Sequence, residues 1–193
     1  MHVRSCVTIA VCVAAVAALT HAGQTVEGTH LDRQAIVSLL HAQDIPALDT
    51  VYKKVQTNTG IDVLYRSLRL GMQPNRSNEV ALLETIPKTF DEYLKYRALD
   101  DPDFSPDEIA ILSRTVDGYF ERVARLAVKN HVDLRSYLVL HSFTDGYART
   151  DSEAWVEWLL QHHRKALLSA FQTLDAKTKR GVCGDDCSEF EHE

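Results

Sequence analysis

Between residues 31 and about 180, apolar side chains recur at three- and four-residue spacing almost without interruption, and that recurrence leaves little room for any fold but a helical one. A period of 3.6 places such residues on one face of a helix, whereas a half-buried strand needs strict alternation. Runs of alternating Val, Ile, Thr and aromatic residues bounded by Asn-Gly or Asp-Gly are missing. The expected fold class is therefore all-α, an irregular helical bundle or short α-solenoid of about seven helices.

The spacing predicts a first helix over 31–42, with Leu31, Ala35, Ile36, Leu39 and Leu40 on one face. Asp44 caps the second, and Pro46 suits its first turn, where a missing N–H costs nothing. Leu48, Val51, Tyr52 and Val55 form its apolar stripe. Ile61, Leu64, Tyr65 and Leu68 mark a third helix, stopped by Gly71. After a loop at 72–78, a fourth runs through Leu82, Leu83 and Ile86, is interrupted by Pro87, and resumes at Phe90, Tyr93 and Leu94.

The stretch from Asp100 to Glu108 has the alternating oxygen side chains of a calcium loop, but Pro106 and Leu112 stand where such a loop needs glycine and glutamate. Ser105, Pro106 and Glu108 read instead as a capping box. A fifth helix follows as one continuous stripe from Ile109 through Leu112, Val116, Tyr119, Phe120, Val123 and Ala127, closed by Asn130. The sixth, capped by Asp133, runs from Leu134 to about Tyr147 and is apolar almost all round, which predicts burial between the fifth and seventh. Thr150 and Glu153 read as the capping box of a seventh helix through Trp155, Leu159, Leu167 and Phe171 to about Lys179, with Gly181 as its stop.

The N-terminus carries a different signal. Met1 to Arg4 hold one positive charge, Ser5 to Leu19 carry none, and Thr20-His21-Ala22 offers small residues at the −3 and −1 positions of a cleavage site. This is a secretory pattern, too short for a spanning helix of about 20 apolar residues. An uncleaved membrane anchor is the alternative. Ile-Ala-Val before Cys12 argues against lipid attachment. The expected organisation is a signal peptide over 1–22, one all-α domain over 23–180 and a loose acidic tail over 181–193.

Cleavage removes Arg4 and moves the net charge from −6 to −7, which disfavours nucleic acid, since a phosphate backbone asks for a basic stripe. No second apolar run is long enough for membrane insertion after cleavage. Cys6 and Cys12 leave with the signal, so Cys183 and Cys187 remain. A short structural disulfide beyond a helix end suits an oxidising compartment. Free or intermolecular thiols, and a metal site with His192 and Glu191, are the other readings of the pair.

Four residues are candidates for chemistry: His141, His163, Asp145 and Tyr137. Two histidines on apolar faces of adjacent helices could meet in a pocket and move protons or hold a metal. Neither helix has a Glu-x-x-His or His-x-x-x-His arrangement, so the plainer reading of each is a core histidine bonded to a carbonyl or a hydroxyl. No metal and no cofactor is expected. Motifs of serine acyl enzymes and glycine-rich phosphate loops are absent from the sequence. Glu153 and Glu157 share a helix face with Arg164 and Gln161, which is the pattern of a solvated surface.

Residues 31–70, two helices of similar length joined by Gln-Asp-Ile-Pro, resemble the helical hairpins of tetratricopeptide-type repeat proteins. The resemblance implies helix pairs stacked in a solenoid. No repeat of about 34 residues follows it. Taken together, these features lead to the expectation of an exported protein, periplasmic or extracellular, that is non-enzymatic and binds another protein, for example as an inhibitor or immunity-type domain. The alternative is an enzyme, or a carrier of an apolar ligand, with an inter-helix pocket around His141 and His163.

Overall fold

Side-chain caps, more than long apolar runs, decide where the helices of this chain begin. In the computed structural model, which describes residues 33–55, 57–97, 99, 104–116 and 118–191, eleven helices of eight residues or more and one final turn of helix are seen, with no strand among the described residues. The all-α expectation holds, with more and shorter helices than seven. The predicted export segment lies outside the described residues.

The chain forms α1 (Arg33–Leu40), α2 (Ile45–Tyr52), α3 (Thr59–Met72), α4 (Arg76–Leu83), α5 (Phe90–Arg97) and α6 (Pro106–Val116). It continues through α7 (Tyr119–Asn130), α8 (Arg135–Phe143), α9 (Gly146–His162), α10 (Arg164–Gln172), α11 (Ala176–Cys183) and α12 (Ser188–Glu191). Asp44, Asn58 and Asn75 each accept from the amide three residues on, at 2.8, 3.1 and 2.9 Å. Each thereby satisfies one of the four amides that a helix start leaves unbonded. The Ser105–Glu108 capping box is present in both directions, at 2.7 and 3.3 Å.

Several sequence boundaries need correction. The predicted fifth helix is two helices, because Gly118 takes φ 68° and breaks the stripe between α6 and α7. Ile109, assigned to that stripe, is exposed. The loop expected over 72–78 shrinks to three residues, since α3 runs through Gly71 and Asn75 already caps α4. Thr150 and Glu153 do not form a capping box. Helix α9 starts a turn earlier, at Gly146, and Glu153 accepts from Arg149 at 2.9 Å. The predicted seventh helix divides at His163 and again at Asp175, which caps α11 through the amides of Lys177 and Thr178.

Gly181 is not a helix stop. It lies inside α11, where a Cβ would stand 2.8 Å from Ser142 Cβ and 3.0 Å from the Ser142 carbonyl oxygen. Glycine is required here for close approach of α11 to α8, and the absence of a side chain was mistaken for punctuation. The stretch beyond 180 is correspondingly no loose tail. Val182 and Phe190 are buried in the core, and the Phe190 ring stacks on Phe171 with centroids 4.5 Å apart.

Two apolar clusters hold the helices. The smaller joins α1, α2, α3 and α6 with Leu99 and Phe104, while the larger gathers residues of α4, α5 and α7–α12. Helix α3 serves both, giving Ile61, Leu64 and Tyr65 to one and Val63 to the other, and Tyr96 packs against both. The centre of the larger cluster is α8, whose Tyr137, Leu138, Val139, Leu140 and His141 are all buried. Its main neighbours are α11, α10, α9 and α5. The predicted burial of this segment is thus met, but the helix on its far side is α5, because α7 packs on α4 and α9 instead.

Candidate functional site

The chemistry-bearing residues predicted on α8 face α9 and α11 together. Tyr137 and His141, one turn apart on the same helix face, both reach Ser152 of α9: the Tyr137 hydroxyl donates to the Ser152 carbonyl at 3.2 Å, and His141 Nδ1 lies 2.9 Å from Ser152 Oγ. On its other side the imidazole meets α11, with Nε2 3.2 Å from the Val182 carbonyl oxygen. A carbonyl only accepts, so Nε2 carries the proton and donates to Val182. The neutral ring then leaves Nδ1 as acceptor for the Ser152 hydroxyl. Thr144 completes the group, donating to the His141 carbonyl at 2.7 Å and lying 3.0 Å from Ser152 Oγ.

Arg149, in the second turn of α9, ties the same three helices from outside. Nη1 donates to the Gly181 carbonyl at 2.6 Å, Nη2 to the Val182 carbonyl at 2.6 Å, and Nε to Glu153 at 2.9 Å. These are carbonyls from the last turn of α11, where the helix leaves acceptors unbonded and where positive charge is favoured. Burial pushes the His141 imidazole down to about 4, and the Arg149 cation adds to the shift. Burial likewise raises the Tyr137 phenol above its ordinary value, with Asp151 contributing in the same sense. A histidine held neutral, 1% exposed and bonded on both nitrogens is bound to one carbonyl and one hydroxyl. The assembly is a three-helix polar junction.

The other two candidates lie elsewhere. Asp145 is 86% exposed at the start of α9, with one oxygen 3.6 Å from an Arg97 nitrogen. His163 marks the bend between α9 and α10, its ring 5.2 Å from that of Trp158. It also lines an open groove of about 590 Å³ between α7 and α10, together with Ala127, His131 and Ala166, and His141 is not part of that lining. Tyr137 and His141 therefore meet, and His163 and Asp145 do not join them. Among the described residues no group of three or more His, Cys, Asp or Glu side chains is placed to hold a metal ion. Cys183 and Cys187 form a disulfide, with Cα atoms 5.1 Å apart, closing the turn between α11 and α12.

Beside that groove the outer face of α9 carries an assembly missed in the sequence. Trp155 and Trp158 lie with ring centroids 5.5 Å apart, and the Arg125 guanidinium from α7 covers both, at 4.8 and 5.0 Å. His162 extends the row, stacked on Trp158 at 5.1 Å with its Nδ1 2.9 Å from the Trp158 carbonyl oxygen. The tryptophans are half-buried and the Arg125 side chain is about half exposed. The spacing of 155, 158 and 162 was a usable signal, since i, i+3 and i+7 share a helix face. Of these three, the sequence pattern places only Trp155 in the core stripe, whereas Leu159 and Val156, next to these rings, are the residues that are buried.

Comparison of the chain with protein-family models, with curated proteins and with solved structures finds no significant match. The tetratricopeptide-type resemblance of residues 31–70 accordingly rests on local pattern alone. Among the described residues no helix is long and apolar enough to cross a membrane.

Proposed function

We propose that this chain is an exported, non-enzymatic domain that binds another protein through the outer face of α9 and the groove beside it, in the manner of an inhibitor or immunity-type protein. The observation that carries the reading is the row formed by Trp155, Trp158 and His162 under the Arg125 guanidinium. Trp and Arg dominate the energetically decisive positions of protein interfaces, because each gives a large contact area around a few fixed donors. Arg125 is held by Glu121 at 2.9 Å as well as by the two rings, so little side-chain freedom remains to be lost on binding. The groove lined by His163 opens next to this row, and a partner side chain seated there would be flanked by the anchors.

Export is supported by the charge and apolar pattern of residues 1–22 and by the disulfide, which suits an oxidising compartment. The test has two arms. Terminal sequencing of the protein recovered from the producing cell is expected to start at Gly23. Immobilised protein should retain one specific partner from envelope or culture fluid, and Trp158→Ala should weaken that complex by about thirtyfold or more, the loss typical of an interface anchor. Retention of the same partner with equal affinity by Trp155→Ala, Trp158→Ala and Arg125→Ala would remove the α9 face from the reading, and recovery of no partner would remove the reading itself.

A further inference from the structure

Where the end of α3 meets the break between α6 and α7, a cleft of about 420 Å³ opens. Its walls differ in chemistry. Leu68, Leu70 and Met72 supply an apolar side, and Met72 is 37% exposed there. The opposite side holds Arg114 and Thr115 from α6 and Arg122 from α7. Ser67 of α3 also lines the cleft; it is only 3% exposed, and its hydroxyl has no hydrogen-bond partner.

That hydroxyl is the anomaly. A helical serine or threonine ordinarily turns back to the carbonyl four residues earlier, as Ser38 and Thr115 do at 2.7 and 2.8 Å. Leaving a buried hydroxyl unbonded costs about 1–3 kcal/mol, so such groups are uncommon in native structures. The arginines are incompletely used as well. Arg114 Nε donates to the Ala110 carbonyl at 3.1 Å and Arg122 Nη1 to the Thr115 carbonyl at 2.8 Å. Neither has a carboxylate partner among the described residues, in a chain whose net charge is −6. Two permanent cations thus line one space next to an apolar wall, and the unbonded Ser67 hydroxyl lies buried at its edge.

We infer that this cleft binds a small organic carboxylate with an apolar tail. The guanidinium fork matches the two oxygens of a carboxylate, and the Ser67 hydroxyl, buried and unbonded as it stands, becomes a third donor on a change of its χ1 rotamer towards the cleft. The tail lies along Leu68, Leu70 and Met72, a wall that gives nothing to a fully hydrated inorganic anion. The volume falls within the range of small-molecule sites. This site is separate from the α9 face and stands or falls independently of the protein-binding reading.

The test is a titration of the purified protein, disulfide intact, with sodium octanoate, followed by amide chemical shifts. Saturable shifts are expected at residues 67–72 and 114–122, with 1-octanol and inorganic phosphate each binding at least about tenfold more weakly, since each lacks one half of the recognition. Arg114→Gln, at an exposed position, should weaken octanoate about fivefold to tenfold, the loss of a charge-assisted hydrogen bond. Ser67→Ala should weaken it while leaving the melting temperature equal or higher, which separates a binding role from a folding one. Unsaturable shifts, or unchanged affinity in both variants, would overturn the site. Equal binding of octanol would overturn the role of the cations, and equal binding of phosphate the assignment to carboxylates.

Discussion

Replacing Gly181 by alanine perturbs the α8–α11 contact with one methyl group. The added Cβ would stand 2.8 Å from Ser142 Cβ and 3.0 Å from the Ser142 carbonyl oxygen, and the second of these is backbone that cannot swing aside. Helix α11 must therefore move off α8. The Gly181 and Val182 carbonyls move with it, away from Arg149 Nη1 and Nη2 at 2.6 Å each and from His141 Nε2 at 3.2 Å. Overpacking of this kind costs about 1–3 kcal/mol. Alanine's better helix propensity returns about 1 kcal/mol. With about 1 kcal/mol more for the weakened bonds from Arg149 and His141, the net expectation is a loss of roughly 1–3 kcal/mol, or about 2–12 °C in melting temperature for a chain of this size. Urea and thermal unfolding followed by far-ultraviolet circular dichroism measure both quantities. A variant as stable as the parent, or more stable, would refute the close approach of the two helices and restore Gly181 to the role of a helix stop.

Gly71 provides the contrast: no atom lies within 4 Å of a Cβ there and its φ is not positive, so Gly71→Ala should stabilise by about 0.5–1 kcal/mol in the same unfolding assay. The His141 imidazole stays neutral down to about 4 in the fold but protonates near 6.5 when unfolded, so the unfolded chain takes up the proton first and stability falls with pH between 6.5 and 4. Between pH 6.5 and 5, above the ordinary values of the carboxylates, the expected loss is about 1.5–2 kcal/mol, and His141→Leu should flatten that slope in urea midpoints. Reducing the Cys183–Cys187 disulfide opens a loop with a sequence separation of four and should cost about 2 kcal/mol, measured by denaturant titration with and without reductant. Thiol titration of the denatured, unreduced protein should find both cysteines blocked.

The helical class, the caps at Asp44 and Ser105–Glu108 and the burial of α8 were legible because each depends on residues within one turn of one another. Asp44, Ser105 and Glu108 act on amides three positions away, and their roles survive whatever the rest of the chain does. Gly118 and Gly181 were misread for opposite reasons. Gly118 lies inside a long apolar stripe, yet its φ of 68° makes it the break; Gly181 lies where a stripe ends, yet its function is to let another helix in. Only a tertiary neighbour, Ser142, distinguishes them. The same holds for the candidate residues. That His141 would bond a carbonyl and a hydroxyl was foreseeable, but Val182 and Ser152, 41 and 11 positions away, were not. The Ser67 cleft left no trace in the sequence, because its donors come from three helices and the decisive observation is a bond that is missing.

The junction at α8 also orders events in time. The helix is covered on one side by α11, whose Gly181 and Val182 come some forty positions later, and Phe190, later still, is buried in the same core. A chain emerging N-terminus first from the ribosome cannot bury α8 fully until α11, some forty positions later, has emerged as well. Until then His141 lacks its Val182 acceptor and the face of α8 that meets Gly181 is uncovered, so completion of the core waits on α11 even when α9 and α10 are already in place. The same arrangement makes a truncation that removes α11 a lesion at the centre of the larger cluster, leaving a product that chaperones and proteases would treat as unfinished.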